Sequence, residues 1–311
     1  MKIVFMGTPD FSAKILETLV KTYEVTAVVT QPDRPKGRGK KLAFPPVKEL
    51  AESLNIEVFQ PQKIKSSESI EQLRKYEADV FVVVAYGQIL PAEILNMPKF
   101  GCINVHASLL PKYRGAAPME WALMNGEKII GLTIMKMDKG LDTGPMLLKK
   151  QFAVTPENDI DFVYEQMTDL SKEAIVEALT GLKNETITFE LQDDSVSTYA
   201  PLLTTETGRI HWQNSAESIV NLVRALCRLK LSHAMLNDAV FKILKAETIL
   251  GYENSNAKPG EVIDIIDKKG FVVKAGDGAV LITKVQAQGK SAMLSLDYLR
   301  GNKLDIGDIF I

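Results

Sequence analysis

In Gly101-Cys102-Ile103-Asn104-Val105-His106 a cysteine, an asparagine and a histidine recur at every second position. Side chains along a β-strand alternate with period two, so all three point to one face. Cysteine with histidine suggests a thiol nucleophile and its base. Four residues of strand separate them by roughly 13 Å, too far for the thiol to reach the imidazole, which leaves Cys102 as small core filler. Asn104 and His106 stand only about 6 to 7 Å apart and can converge on one substrate atom. An amide and an imidazole so placed suit an oxygen that gains negative charge during a reaction. Ser108-Leu109-Leu110-Pro111 and then Arg114-Gly115 follow, which puts the pair at the carboxyl end of a strand, where ligands bind in open α/β sheets.

A carboxylate to support the histidine is available in Asp138 or in Asp142, and spacing does not choose between them. Asp142-Thr143-Gly144 has the tripeptide of aspartic proteases, but that chemistry needs two carboxylates sharing a proton and only one copy is present. Gly7-Thr8-Pro9 lacks the full G-x-G-x-x-G dinucleotide fingerprint and reads as a strand-to-helix turn, with Pro9 at the first helical position. Three scattered histidines and two cysteines without a CxxC give neither metal-ligand spacing nor a disulfide framework, so no metal is expected.

Positioning such a pair takes a sheet. Lys2 to Met6, Val25 to Thr30, Asp79 to Tyr86 and Gly101 to His106 read as short strands, separated by helical spacing such as Phe11, Ile15, Leu16 and Leu19. The near-continuous apolar run Val80 to Val84 fits a parallel strand covered on both faces, so the fold class is α/β, a doubly wound, mostly parallel, Rossmann-like sheet. The alternation fades into polar sequence at 183–208, read as a linker between a catalytic domain at 1–182 and a second domain at 209–311. Asn214-x-x-Glu217 looks like a capping box opening a helix. Val240 to Leu244, Glu261 to Ile266, Phe271 to Ala275 and Val280 to Lys284 then predict a small β-barrel-like domain.

Composition excludes fibrous and low-complexity classes, with 46% hydrophobic and 24% charged residues. The longest strongly apolar run, Val80 to Tyr86, is far short of the roughly 18 residues of a membrane span. Gly7-Thr8-Pro9-Asp10 cuts off any signal-peptide core, so a cytoplasmic protein is expected. The net charge of −2 hides a local excess: Gln31 to Lys48 holds Arg34, Lys36, Arg38, Lys40, Lys41 and Lys48 against Asp33, a net of +5. Long loops in compact domains are usually functional, and an anionic partner explains this one better than a solvated charge run.

Met6-Gly7-Thr8-Pro9-Asp10-Phe11, Thr30 to Pro35, Val84 to Pro91, Asn104 to Pro118 and Met137 to Gly144 occur in the order of known motifs, and over nearly its whole length the chain resembles the methionyl-tRNA formyltransferase family. The resemblance implies transfer of the formyl group of 10-formyltetrahydrofolate, as co-substrate, to the methionine of initiator methionyl-tRNA for translation initiation. It implies that Asn104, His106 and Asp142 are catalytic, selecting Asp142 over Asp138. It also implies that Tyr86, Gln88, Ile89, Leu90, Ser108, Leu109, Leu110 and Pro111 border the folate pocket. The basic insertion with Arg34, Lys36, Arg38, Lys40 and Lys41 would meet the tRNA acceptor stem, assisted by the second domain, which the resemblance makes an OB-like barrel. A monomer is favoured, and the rivals are a formyltransferase acting on a small amine, a dehydrogenase, or a catalytically silent tRNA-binding module. Many members of that family carry an Asn-Pro-Trp-Pro-like turn where this chain reads Cys227 to His233, with no turn signal.

Overall fold

The computed structural model describes residues 1–36, 41–252, 256–302 and 304–311, and the side chains of Lys36 and Lys41 lie outside that description. In chain order the first elements are β1 (Lys2–Gly7), α1 (Asp10–Leu19), β2 (Glu24–Val29), β3 (Arg34–Lys36), β4 (Lys41–Ala43), α2 (Pro46–Ser53), β5 (Glu57–Phe59), α3 (Ser67–Arg74), β6 (Val80–Val84), α4 (Ala92–Leu95) and β7 (Cys102–His106). They are followed by β8 (Arg114–Gly115), α5 (Pro118–Met124), β9 (Ile129–Lys136), β10 (Met146–Ala153) and α6 (Ile160–Lys183). The remainder holds β11 (Tyr199–Ala200), α7 (Ala216–Leu226), β12 (His233–Leu236), β13 (Ala239–Ile249), β14 (Val262–Ile266), β15 (Gly270–Lys274), β16 (Ala279–Ala287), β17 (Met293–Leu294) and α8 (Ser295–Gly301). Two compact units result: residues 1–115, 131–152 and 165–199 form one, and residues 116–130, 153–164 and 200–311 form the other.

A seven-stranded sheet in the order β10-β9-β7-β6-β1-β2-β5 organises the first unit. β1 pairs in parallel with both β2 and β6, and β6 with β7, whereas β9 runs antiparallel to β7. The chain builds outward from β1 through β2 and β5, then crosses back to lay down β6 and β7 on the other side. That reversal is the topological switch point, where loops beyond the strand ends diverge and leave a crevice. β6 is buried at every residue, as expected of a parallel strand covered on both faces.

Some local readings shift. Pro9 is the N-cap of α1 rather than its first helical residue, and α1 begins at Asp10. The basic connection is a two-stranded ribbon instead of an irregular loop, with Arg34 opposite Ala43 and Lys36 opposite Lys41. Of its cations, Arg38 and Lys40 lie outside the described residues.

In the second unit, β12-β13-β16-β15-β14 form an antiparallel sheet, with β17 added on β16. The last residues of the chain lace its two edges together. Ile311 exchanges backbone hydrogen bonds with Met235 of β12, and Phe310 N–H donates to the carbonyl of Gly260 while Val262 N–H of β14 donates to that of Asp308. Gly260 is required at this crossing: its φ is +95°, and a Cβ there would meet the Phe310 carbonyl oxygen at 2.2 Å. Edges covered in this way cannot pair with other chains. α7 is capped by Ser215, whose Oγ accepts from Ser218 N–H at 3.1 Å, and not by Asn214. β13 runs to Ile249, five residues beyond the expected end. No helix among the described residues is long and apolar enough to cross a membrane.

Phe310 is almost fully buried, stacked on Phe271 with ring centroids 5.9 Å apart and edge-on to Phe241 at 5.3 Å. Phe310→Ala should destabilise the second unit by about 3 to 5 kcal/mol through lost transfer energy and the cavity left behind. Urea unfolding followed by tryptophan fluorescence measures this directly, because both tryptophans, Trp121 and Trp212, belong to that unit.

Candidate active site

The crevice at the switch point is held by hydrogen bonds from β1 and α1 to the end of β6. Thr8 Oγ1 and Gln31 Nε2 both donate to the carbonyl of Tyr86, at 3.0 and 3.2 Å, and Ser12 Oγ donates to that of Val84 at 2.6 Å. A Cβ on Gly7 would come within 2.7 Å of Phe5 and Ser12, so the strand can turn into the helix this tightly only with glycine. From here the chain enters the Tyr86–Pro91 loop.

That loop divides its labour. Tyr86 and Leu90 are buried in the hydrophobic core, and burial pushes the Tyr86 hydroxyl well above the usual phenol range. Gln88 spends its amide on backbone, accepting from Ile64 N–H and donating to the Pro61 carbonyl. Only Ile89, 90% exposed, offers its side chain outward. Ser108–Pro111 is similarly fixed: Thr133 Oγ1 on β9 accepts from Leu110 N–H and donates to the Ser108 carbonyl, while Ser108 Oγ donates to the Lys112 carbonyl. Leu110 packs against Met135 and Met146, and the Leu110-Pro111 bond is cis. Leu109 and Pro111 are half-buried.

Asn104 and His106 lie on β7 opposite Met135 and Thr133 of β9. His106 Nε2 is 3.0 Å from the carbonyl oxygen of Tyr113. A carbonyl can only accept, so Nε2 carries the hydrogen and Nδ1 is the nitrogen left for chemistry. Nδ1 lies 3.7 Å from Asp142 Oδ2, beyond direct hydrogen-bond range, with the carboxylate facing the ring. The Asn104 carboxamide, 9% exposed, has no hydrogen-bond partner among the described residues. A nearly buried amide in that state costs free energy unless something else accepts from it.

Asp142 and Asp138 have different employment. Asp142 Oδ2 accepts from Gly115 N–H at 2.8 Å and faces the imidazole. Asp138 is a turn residue, accepting from Gly140 N–H and Thr143 Oγ1 within its own loop. Gly144 packs that loop against β9, for a Cβ there would sit 1.9 Å from the Lys136 carbonyl oxygen. Cys102 is fully buried, with Sγ directed at the Ile94 carbonyl, and burial pushes its thiol up to about 12. It is no nucleophile. Among the described residues no cluster of His, Cys, Asp and Glu could hold a metal ion.

The basic ribbon is built differently from the crevice. Lys48 Nζ is 2.7 Å from Asp33 Oδ2, and Gln60 Nε2 donates to the other oxygen. These two hydrogen bonds, Gln60's first, lower the Asp33 carboxyl. Lys48 is therefore committed inside the fold, whereas the Arg34 side chain is exposed and donates to Gln31 Oε1. Sequence reasoning missed Tyr113 and Thr133, which act through a backbone carbonyl and as a strand threonine and leave no motif.

Residues 1–179 match the family model described as formyl transferase, and residues 202–303 match that of the formyl transferase C-terminal domain. Methionyl-tRNA formyltransferases are similar over full length: that of Ruminiclostridium cellulolyticum is 44% identical and that of Clostridium tetani 46%, each covering 99% of both chains. Among solved structures, the sugar 3N-formyl transferase WlaRD superposes with a TM-score of 0.67 at 18% identity, covering 94% of this chain and 99% of its own. HypX from Aquifex aeolicus, in complex with tetrahydrofolic acid, gives 0.65 at 18% identity over 99% of this chain and 50% of its own. At those identities the two structures speak for the fold, while the full-length sequence matches speak for the family. The chain belongs to the formyl transferase family, among the methionyl-tRNA formyltransferases.

Proposed function

We propose that the chain transfers the formyl group of 10-formyltetrahydrofolate to the α-amino group of methionine on initiator methionyl-tRNA, acting as a cytoplasmic monomer. The observation that carries this reading is the unpartnered Asn104 amide beside the His106–Asp142 pair, in a chain this similar to methionyl-tRNA formyltransferases. When bound, the folate supplies an activated formyl carbon. The two segments flanking the crevice, Tyr86–Pro91 and Ser108–Pro111, would hold it, a reading supported by the exposed Ile89 side chain, while the Gln88 and Ser108 side chains are already engaged.

As the amine attacks, negative charge develops on the formyl oxygen, and a preorganised donor is worth most there. Asn104 is that donor. His106 Nδ1, with Nε2–H pinned to Tyr113, can take the amine proton or hold it for the departing folate nitrogen, and Asp142 stabilises the imidazolium. Position and field are what these residues provide. The five cations from Arg34 to Lys41, Arg38 among them, would engage the acceptor stem, and the 1–182, 183–208 and 209–311 divisions would serve as catalytic domain, connector and tRNA-binding domain.

Formylation of charged initiator tRNA by the purified protein, read as formylmethionine, tests the reading. Transfer only to a small amine would overturn it. Asn104→Ala, His106→Ala and Asp142→Asn should each lower kcat roughly a hundredfold with folate binding nearly intact, since each removes transition-state interactions. Asp138→Asn, which disturbs only a turn, should cost far less, and the opposite order would reassign the carboxylate.

A second set of variants addresses the tRNA. Arg38→Ala should raise KM for charged tRNA and lower the salt slope of binding by about one unit or less. Lys48→Met should leave that slope unchanged because its charge is spent on Asp33. Equal effects from both would show that the ribbon is not the contact.

A further inference from the structure

Two residues beside the reaction centre hold a backbone conformation that L-residues seldom adopt: Tyr113 at φ +60° and Asp142 at φ +55°. Tyr113 carries the carbonyl that fixes His106, and Asp142 carries the carboxylate that faces it. Both are held by one distant stretch of chain, residues 190–198. Gln192 Nε2 donates one hydrogen to the Asp142 carbonyl at 2.8 Å and the other to the Gly144 carbonyl at 2.7 Å. Its Oε1 accepts from Arg114, from Nε at 3.1 Å and Nη2 at 2.8 Å, and Nη2 also donates to Asp194 Oδ1 at 2.6 Å. A few residues on, Thr198 accepts from Tyr113 N–H at its hydroxyl and from Arg114 N–H at its carbonyl, at 2.8 and 2.9 Å.

From this geometry we infer that Gln192 is a positioning residue for catalysis: its amide locks the Asp142 turn so that the carboxylate stands opposite His106, and residues 190–198 are a buttress of the active site. The inference rests on the reading of His106 and Asp142 given above. Both amide hydrogens and the amide oxygen of Gln192 are used, which orients the group without ambiguity. Arg114 presents two N–H groups of its rigid fork to that oxygen, and the carbonyls on the other side need donors, which the amide NH2 supplies. Glutamate at 192 has nearly the same shape and would pair with Arg114 more strongly, yet it could donate to neither carbonyl. A displacement of about 1 Å at a catalytic group can cost on the order of a hundredfold in rate.

The experiment compares Gln192→Ala, Gln192→Glu and Asp142→Ala, alone and with Asp142→Ala combined with Gln192→Ala, using charged initiator tRNA and 10-formyltetrahydrofolate. Wild type is assayed first, and its failure to formylate would reject the functional reading without bearing on Gln192. Given an active wild type, both Gln192 variants should lose tenfold or more in kcat, with KM for each substrate within about threefold. In the Asp142→Ala background the Gln192→Ala change should cost less than threefold more. If alanine unfolds the protein, the near-isosteric glutamate variant decides alone. Wild-type kcat in Gln192→Glu, restored through Arg114, would mean that the residue merely ties chain segments together and would overturn the inference. So would an equal loss from Gln192→Ala whether or not Asp142 is present.

Discussion

A buried imidazole has two nitrogens, and the carbonyl of Tyr113 takes one of them. Everything else at the site follows from that hydrogen bond. It fixes the tautomer and the ring plane, so Nδ1 alone can exchange a proton with substrate and Asp142 must come to that side. It also demands that Tyr113 present its carbonyl inward, which the chain achieves only by placing an aromatic residue at positive φ. The tight turn at Gly7, the clamped end of β6 and the Thr133 bonds to Ser108 and Leu110 keep the neighbouring loops in register with the ring. The sheet thus presents the two candidate side chains, Asn104 and His106, by simple alternation on β7, and the loops supply the constraints on their surroundings.

What could be read in advance follows the range of the interactions. β1, β2, β6 and β7 were legible to within one or two residues because each is a short apolar run closed by glycine or a polar turn, a signal carried by adjacent residues. Asn104 and His106 were legible for the same reason, period two being a local property. β13 extends five residues beyond the apolar run, because the exposed Lys245 and Glu247 and the register shifts around Lys245 break the alternation that marks a strand in sequence. Asn214 and Ser215 can both cap a helix, and only the bond from Ser218 N–H shows which one does. The turn after α7 gave no signal because Lys230, neither glycine nor asparagine, takes φ +53° there, with Lys230 N–H bonded to the Cys227 carbonyl.

Spacing does not choose between Asp138 and Asp142, and net charge does not give the disposition of the basic segment. Its net of +5 is the same with or without Asp33 and Lys48, since the two neutralise each other. Their pairing removes one charge of each sign and leaves five cations concentrated between residues 34 and 41, on and between two short strands. At Arg34, Lys36 and Lys41 the backbone is paired in those strands, so less conformational entropy is lost there when an anion binds.

Strain at the site sets how much support it needs. A non-glycine residue in the left-handed region costs on the order of 1 to 2 kcal/mol, more for an aromatic side chain than for aspartate, which tolerates it. Tyr113 and Asp142 together therefore store about 2 to 4 kcal/mol. A buried hydrogen bond contributes roughly 1 kcal/mol net, and the 190–198 stretch makes four to these two turns: two from the Gln192 amide and two to Thr198. The terms are of equal size. Neither turn would hold its conformation unaided, and neither would relax far without breaking bonds to a segment that is itself anchored, through Glu190, to Met146 at the start of β10. A carboxylate on such a turn is rigid because two nearly balanced terms leave it one conformation, and that rigidity is what a preorganised site requires.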